Sequence, residues 1–289
     1  MIQRSTLLHL RIPFSFFLLP VFLFSLSLSP NPSLWTTIAV FICLHVFLYP
    51  ASNGYNSYFD RDDGSIGGLK NPPPVDRSLY NTALAFDLVA LLLALYIGWF
   101  FLLMILAYGL ASKAYSHPSI RLKKFPVLGW LITGFFQGFV IFIASYYGIN
   151  QCPVQDLLEV SIIFPAVLCS VLLWGSYPMT QIYQHKEDRT RGDITLSLKL
   201  GILGTFHFTA VAFTLAVSGF VYFYLLYFST GYALVFIVLL LPVLIFFGYW
   251  YINVRKDLRL ADFDHTMRLN LISSCMMNVI FSIFFLYDF

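Results

Sequence analysis

The chain has 289 residues, of which 59% are hydrophobic, 19% aromatic and only 11% charged. Soluble domains carry about 25% charged residues, so a surface this apolar belongs in a bilayer rather than in water. The formal net charge of +3 is too small to mark a nucleic-acid binder, and Cys43, Cys152, Cys169 and Cys275 form no CxxC pair, which leaves out a zinc site and a disulfide framework.

The N-terminal segment carries Arg4 and Arg11 and then turns apolar from Ile12. It is followed by Ser-Pro-Asn-Pro-Ser rather than a small-x-small cleavage site, so it reads as a retained first span, not a removed signal peptide. From there the basic residues set the rhythm. All 17 Lys and Arg fall into five clusters, around residues 4–11, 61–77, 113–124, 186–199 and 255–268. The stretches between them, 12–59, 78–112, 125–185 and 200–254, hold no basic residue, and neither does 269–289.

About 20 helical residues cross a hydrocarbon core of roughly 30 Å. Even the shortest internal gap, 78–112, would make a rod of about 52 Å, so each of the four reads as a helical hairpin. Turn signals stand near their middles: Pro30-Asn31-Pro32, Gly98, Gly148-Ile149-Asn150 and Ser229-Thr230-Gly231. The last gap fits one crossing. The expected fold is therefore all-α and integral to the membrane. Nine transmembrane helices form one polytopic domain over residues 1–289. Every basic cluster falls on the side of the N-terminus, which the positive-inside rule makes cytoplasmic, and the C-terminus lies outside with Asp156 and Glu159.

One element occurs twice. Tyr49-Pro50, Asn53, Tyr55, Asn56, Asp60-Arg61 and Gly64 return, 128 residues later, as Tyr177-Pro178, Gln181, Tyr183, Gln184, Asp188-Arg189 and Gly192. The repeat implies two related four-helix halves plus one extra helix. On an α-helix Asn53, Asn56 and Asp60 share a face, as do Gln181, Gln184 and Asp188. Amides and carboxylates inside a membrane are costly and face the bundle interior with partners. Two such faces meeting would make an oxygen-rich cage suited to Mg²⁺, with Arg61, Lys70, Lys186, Arg189 and Arg191 beside it to hold phosphate. The motif loops span 53–78 and 181–199.

These residues resemble the two aspartate-rich motifs, NDxxDxxxD and DxxxD, of the UbiA-type intramembrane prenyltransferases. Asn56-Ser57-Tyr58-Phe59-Asp60-Arg61-Asp62-Asp63 is similar to the first. Gln184-His185-Lys186-Glu187-Asp188, with Gly192-Asp193-Ile194-Thr195-Leu196, is similar to the second and its GxxTL tail. Tyr115-Ser116-His117-Pro118 with Arg121-Leu122-Lys123 is similar to the family's YSxPxxRLK loop. The resemblance covers nearly the whole chain.

It implies transfer of a prenyl group from a prenyl diphosphate to a lipophilic acceptor, an aromatic quinone precursor, in a multi-pass protein of a bacterial inner membrane. Asp60, Asp188 and Asn56 would be catalytic. Mg²⁺ would be held by Asn56, Asp60 and Asp188 with Asn53 and Gln184. Arg61, Lys70, Arg121, Lys123, Lys186 and Arg189 would meet the diphosphate. The allylic cation would sit by aromatic faces, with Tyr55, Tyr58 and Tyr183 as candidates. Alternatives are a porphyrin, sugar-phosphate or glycerol-phosphate acceptor, or a non-catalytic lipid-binding or transport relative. Transporters tend to place substrate at midplane breaks rather than at helix ends.

The sequence departs from the family pattern at Ser57, Gly64 and Gln184, where aspartates are usual; Asp62, Asp63, Glu187 and Asp193 stand near enough in sequence to compensate. A cage with fewer carboxylates binds Mg²⁺ more weakly or holds one ion. Asp87, about 15 Å into the third helix, is either functional or a neutral, hydrogen-bonded structural residue. His117, His185 and His265 read as solvated loop histidines. Asp262, Asp264, Arg268 and Asn270 lie beside the same face of the membrane. Gly129, Gly134 and Gly138 mark close helix packing.

Overall fold

A computed structural model describes residues 3–287. Among them, nine helices are long and apolar enough to cross a membrane, as the charge rhythm predicts: α1 (Arg4–Ser27), α2 (Leu34–Asp60), α3 (Ser78–Ile97), α4 (Trp99–Ser116), α5 (Pro126–Asn150), α6 (Val160–Arg191), α7 (Leu196–Tyr227), α8 (Thr230–Lys256) and α9 (Phe263–Leu286). Consecutive helices pack antiparallel, and α9 lies against both α8 and α1, closing the bundle. The loops 61–77, 117–125, 192–195 and 257–262 therefore gather at the end where the chain begins.

Outward faces are leucine-rich, with Leu88, Leu92 and Leu95 exposed as lipid-facing residues should be. Trp35, Tyr96 and Trp99 are exposed at the opposite end from the basic loops, where an aromatic belt meets headgroups. The interior is aromatic. Phe24 of α1 stacks on Phe281 of α9 at 4.5 Å and contacts Phe142 of α5 and Phe220 of α7 at 5.5 and 5.2 Å, tying four helices together.

Two expectations need correction, and a third gains a partner. The turn expected at Gly148-Ile149-Asn150 is still helical: α5 runs to Asn150, Gln151 takes the left-handed conformation, and a 3₁₀ turn over Val154–Leu158 carries the chain to α6. The second motif does not continue an α-helix; Tyr177–Gln184 winds as 3₁₀ before His185–Arg191 returns to α. Pro178, which has no N–H to donate, stands at the start of that change. Asp87, expected to be either functional or a hydrogen-bonded structural residue, has Lys113 Nζ of α4 2.6 Å from its carboxyl, and that nitrogen also sits 4.9 Å over the Tyr55 ring.

The glycine reading holds. A Cβ at Gly138 would stand 2.5 Å from the Ser170 backbone nitrogen, so α5 and α6 approach at a distance only glycine permits. The four cysteines are free.

The Asp87–Lys113 pair gives a direct test of what it contributes. Lys113→Met strands a carboxylate in the bundle and should cost about 3 kcal/mol, whereas Asp87→Leu/Lys113→Met together should recover most of that loss. Thermal melts of the detergent-solubilised variants measure both. A double variant as unstable as the sum of the singles would contradict the pairing.

Candidate active site

The two motifs meet. Asn53, Asn56 and Asp60 from α2 and Gln181, Gln184 and Asp188 from α6 all line one cavity of about 600 Å³, open towards the basic loops and running into the bundle. The change of winding in the second motif does not break the pattern, because both stripes still face inward. The deep part is apolar, walled by Val217, Phe236, Leu240 and Phe247 and floored by Phe220 of the aromatic cluster.

At the mouth, acids and bases hold one another. Asp60 accepts from Lys123, lies 3.5 Å from Arg121 and 3.9 Å from Arg191, and receives a hydrogen bond from Asn56 Nδ2 at 2.8 Å. The other Asn56 N–H bonds Ser116 Oγ at 3.0 Å. Arg121 donates through Nε and Nη2 to both oxygens of Asp193 at 2.7 Å, a bidentate fork that raises the already high guanidinium pKa. Asp62 pairs with Arg191. Burial and the neighbouring Asp60 push its carboxyl above the ordinary range, and Arg191 pulls it back.

The GxxTL tail builds the second half of this lattice. Gly192 ends α6 in the left-handed conformation at φ 74°, which turns the chain so that the Asp193 N–H bonds the Asp188 carbonyl at 2.9 Å. Thr195 caps α7 and donates its hydroxyl to Asp188 Oδ2 at 3.2 Å. Gln184 is held by donation to the Ser65 carbonyl at 3.2 Å. Gly64 abuts Glu187 so closely that a Cβ there would lie 1.9 Å from Oε1; a carboxylate from the second motif occupies the space an aspartate at 64 would need.

Of the six cations expected at the diphosphate, Lys123 lines the cavity and Arg121 braces it through Asp60 and Asp193. The other four stand elsewhere. Arg61 takes a left-handed C-cap and lies 5.7 Å over Tyr58. Lys70 pairs with Asp264 at 2.5 Å on the surface. Lys186 and Arg189 flank a separate shallow hollow with Gly201 and Leu258. Their side chains follow the outer face of the short terminal helix, whereas Arg191, three residues beyond Asp188, reaches inward.

Arg11 of α1 also lines the cavity. It donates to the carbonyls of Asn53 at 3.2 Å and Gly67 at 3.1 Å, and its Nε is buried without a partner. A lone arginine near the start of an apolar span gave no signal beyond its charge.

Among the proposed aromatic faces, Tyr183 lines the cavity, while Tyr55 and Tyr58 pack with Phe59 and Tyr80 outside it. Asn270 of α9 reaches the cavity; Asp262 caps α9 and accepts from His265. His185 bonds Ser197 at 2.8 Å and His117 lies against Phe59, so neither is simply solvated.

Among the described residues, no three His, Cys, Asp or Glu side chains form a cage able to hold a metal by themselves. The donor set suits a different arrangement. Mg²⁺ keeps several waters and takes one or two carboxylates together with substrate phosphates. Asp60 and Asp188 would supply the carboxylates from opposite walls, and Gln181 Oε1, buried and unpartnered, would supply a spare oxygen.

Known proteins place this architecture. No curated protein matches the chain. Solved structures do, across almost their whole length. A UbiA homolog from Archaeoglobus fulgidus bound to GPP and Mg²⁺ superposes with a TM-score of 0.66 at 18% identity, covering 98% of this chain and 100% of that one. The same homolog bound to DMAPP and Mg²⁺ gives 0.65 at 19%, covering 97% and 99%. A digeranylgeranylglyceryl phosphate synthase gives 0.61 at 18%, covering 98% and 97%. The model of the UbiA prenyltransferase family matches residues 17–272, and the chain belongs to that family.

Proposed function

We propose that the protein transfers a prenyl group from a prenyl diphosphate, in a Mg²⁺-dependent reaction at the cytoplasmic face of the membrane, to an aromatic quinone precursor. One observation carries this reading: the duplicated amide-and-acid faces line a single cavity whose polar mouth leads into an apolar depth. A diphosphate needs the first and a prenyl chain the second. That relatives of this fold have been captured with GPP and DMAPP beside Mg²⁺ supports the donor class. The location at helix ends beside basic loops argues against a midplane transport site.

In this reading Asp60 and Asp188, with Asn56 and Gln181, hold the metal, and Asn53 and Gln184 complete the polar faces. Bound Mg²⁺ supplies charge neutralisation of the departing diphosphate. Lys123, Arg191 and Arg11 turn from carboxylates and carbonyls to phosphate oxygens, and Arg121 keeps Asp193 and the loop in place. The allylic C1–O bond breaks and its electron pair leaves on the diphosphate, which these cations stabilise. The cation left on the prenyl chain lies against Tyr183 and the neighbouring aromatic wall. A carbon of the electron-rich ring then bonds to C1, and the ring proton passes to the diphosphate, restoring aromaticity. The closed bundle keeps water from capturing the cation first.

Purified protein with Mg²⁺, labelled geranylgeranyl diphosphate and a panel of aromatic and glycerol-phosphate acceptors should give prenylated product that chelation by EDTA abolishes. Asp60→Ala and Asp188→Ala should each lower turnover more than about a hundredfold. Full activity in both would refute the site. The geometry also separates two neighbouring arginines: Arg191→Ala should lose about a hundredfold in kcat/KM, and Arg189→Ala less than about threefold. Equal losses would mean that the cavity lining misidentifies the phosphate ligands.

A further inference from the structure

The cavity holds a second tier of polar groups that the diphosphate does not use. Ser52 of α2, Tyr108 of α4 and Gln137 of α5 line it deeper in the membrane than the acids. Ser52 precedes Asp60 by two helical turns, about 12 Å along the axis. The Tyr108 hydroxyl stands beside both Gln137 and Ser52. The hydroxyl of Tyr49, which is 2% exposed and lines the same wall, is buried without a hydrogen-bond partner. An unpartnered hydroxyl in an apolar wall is costly and asks for a ligand. The charged side chains that line the cavity stand at its mouth, so this tier suits a neutral group.

The fold also contains a device that aims Gln137. Phe135–Val140 winds as a π-helix, a widened turn that is often found at functional sites. Ser170 of α6 makes it: its hydroxyl accepts from Phe139 N–H at 2.9 Å and donates to the Gly134 carbonyl at 2.9 Å, bridging the pair that a π turn would otherwise join directly. Gly138 lets α6 come close enough for this insertion. The widened turn is the one that carries Gln137 into the cavity.

We infer that Gln137, with Tyr108 and Ser52, binds a neutral hydroxyl on the acceptor ring, and that Ser170 is the positioning residue that points Gln137 at it. The inference rests on the prenyl-transfer reading above. An amide and two hydroxyls both donate and accept, which matches a phenol and not its methyl ether. The diphosphate at the mouth and the hydroxyl in the second tier would hold the ring between them, next to the allylic carbon.

The test titrates the detergent-purified protein, with Mg²⁺ and geranylgeranyl thiolodiphosphate present, with a naphthalenediol and with its dimethyl ether. The wild type should bind the diol at least about tenfold more tightly. Gln137→Leu, Tyr108→Phe and Ser170→Ala should each remove most of that preference while leaving the affinity for the thiolodiphosphate within about twofold. A wild type that binds the thiolodiphosphate but does not prefer the diol overturns this inference and leaves prenyl transfer standing. So do variants that keep the preference, or that lose the donor analogue with it. A wild type that fails to bind the thiolodiphosphate removes the prenyl-transfer reading itself.

Discussion

The structure depends on the mutual neutralisation of buried charge at one edge of the bilayer. Asp60, Asp62 and Asp193 are nearly fully buried, and each would be intolerable there alone. Lys123, Arg121 and Arg191 make them tolerable, and they arrive from the loop after α4 and the end of α6. The motif helices, the YSxPxxRLK loop and the GxxTL tail are thus one electrostatic unit. The same cations that shield the acids would, in the proposed reaction, receive an anion when a metal takes the acids over. A site built this way exchanges partners rather than creating charge, so loading it leaves the membrane edge no more polar than before.

The apolar part of the bundle follows from a simpler rule. Leucine faces lipid, phenylalanine fills the centre, and the few polar groups inside are tied to backbone or to one another. Where α5 meets α6 the rule is suspended: Gly138 and Ser170 open a helical turn, and an amide is carried into the cavity. That local departure, like the 3₁₀ stretch of the second motif, costs regular hydrogen bonding, and both stretches carry residues that line the cavity wall.

Much of this was legible in the residues. The gaps between basic clusters counted the nine helices because a membrane excludes unpaired cations so strongly that basic charge marks each loop on the side of the N-terminus, and a basic-free gap too long for one crossing must hold a hairpin. The 128-residue offset between Asp60 and Asp188 identified the two walls because a repeated polar face has few uses inside a bilayer. What the sequence could not supply was direction. Arg189 repeats Arg61 and looks equivalent, yet both point away; Arg191, with no counterpart in the first motif, faces the cavity because α6 rewinds from 3₁₀ to α just before it. The role of Arg11 was hidden because it comes from a break in α1, where Arg11 takes the left-handed conformation between Arg4–Leu10 and a 3₁₀ stretch over Ile12–Leu18, that places it against Asn53 and Gly67. The pairing of Asp87 with Lys113 was hidden because it joins helices that the hairpin count places side by side but does not put in register.

In the proposed function, Asp60 and Asp188 grip one metal-bound diphosphate from opposite walls. Anomalous diffraction from crystals grown with Mn²⁺ in place of Mg²⁺ and geranylgeranyl thiolodiphosphate tests it most directly. Metal density is expected within coordination distance of both carboxylates, with Arg191 turned from Asp62 to phosphate. Metal bound by one wall alone, with the other aspartate still held by its protein partners, would contradict it.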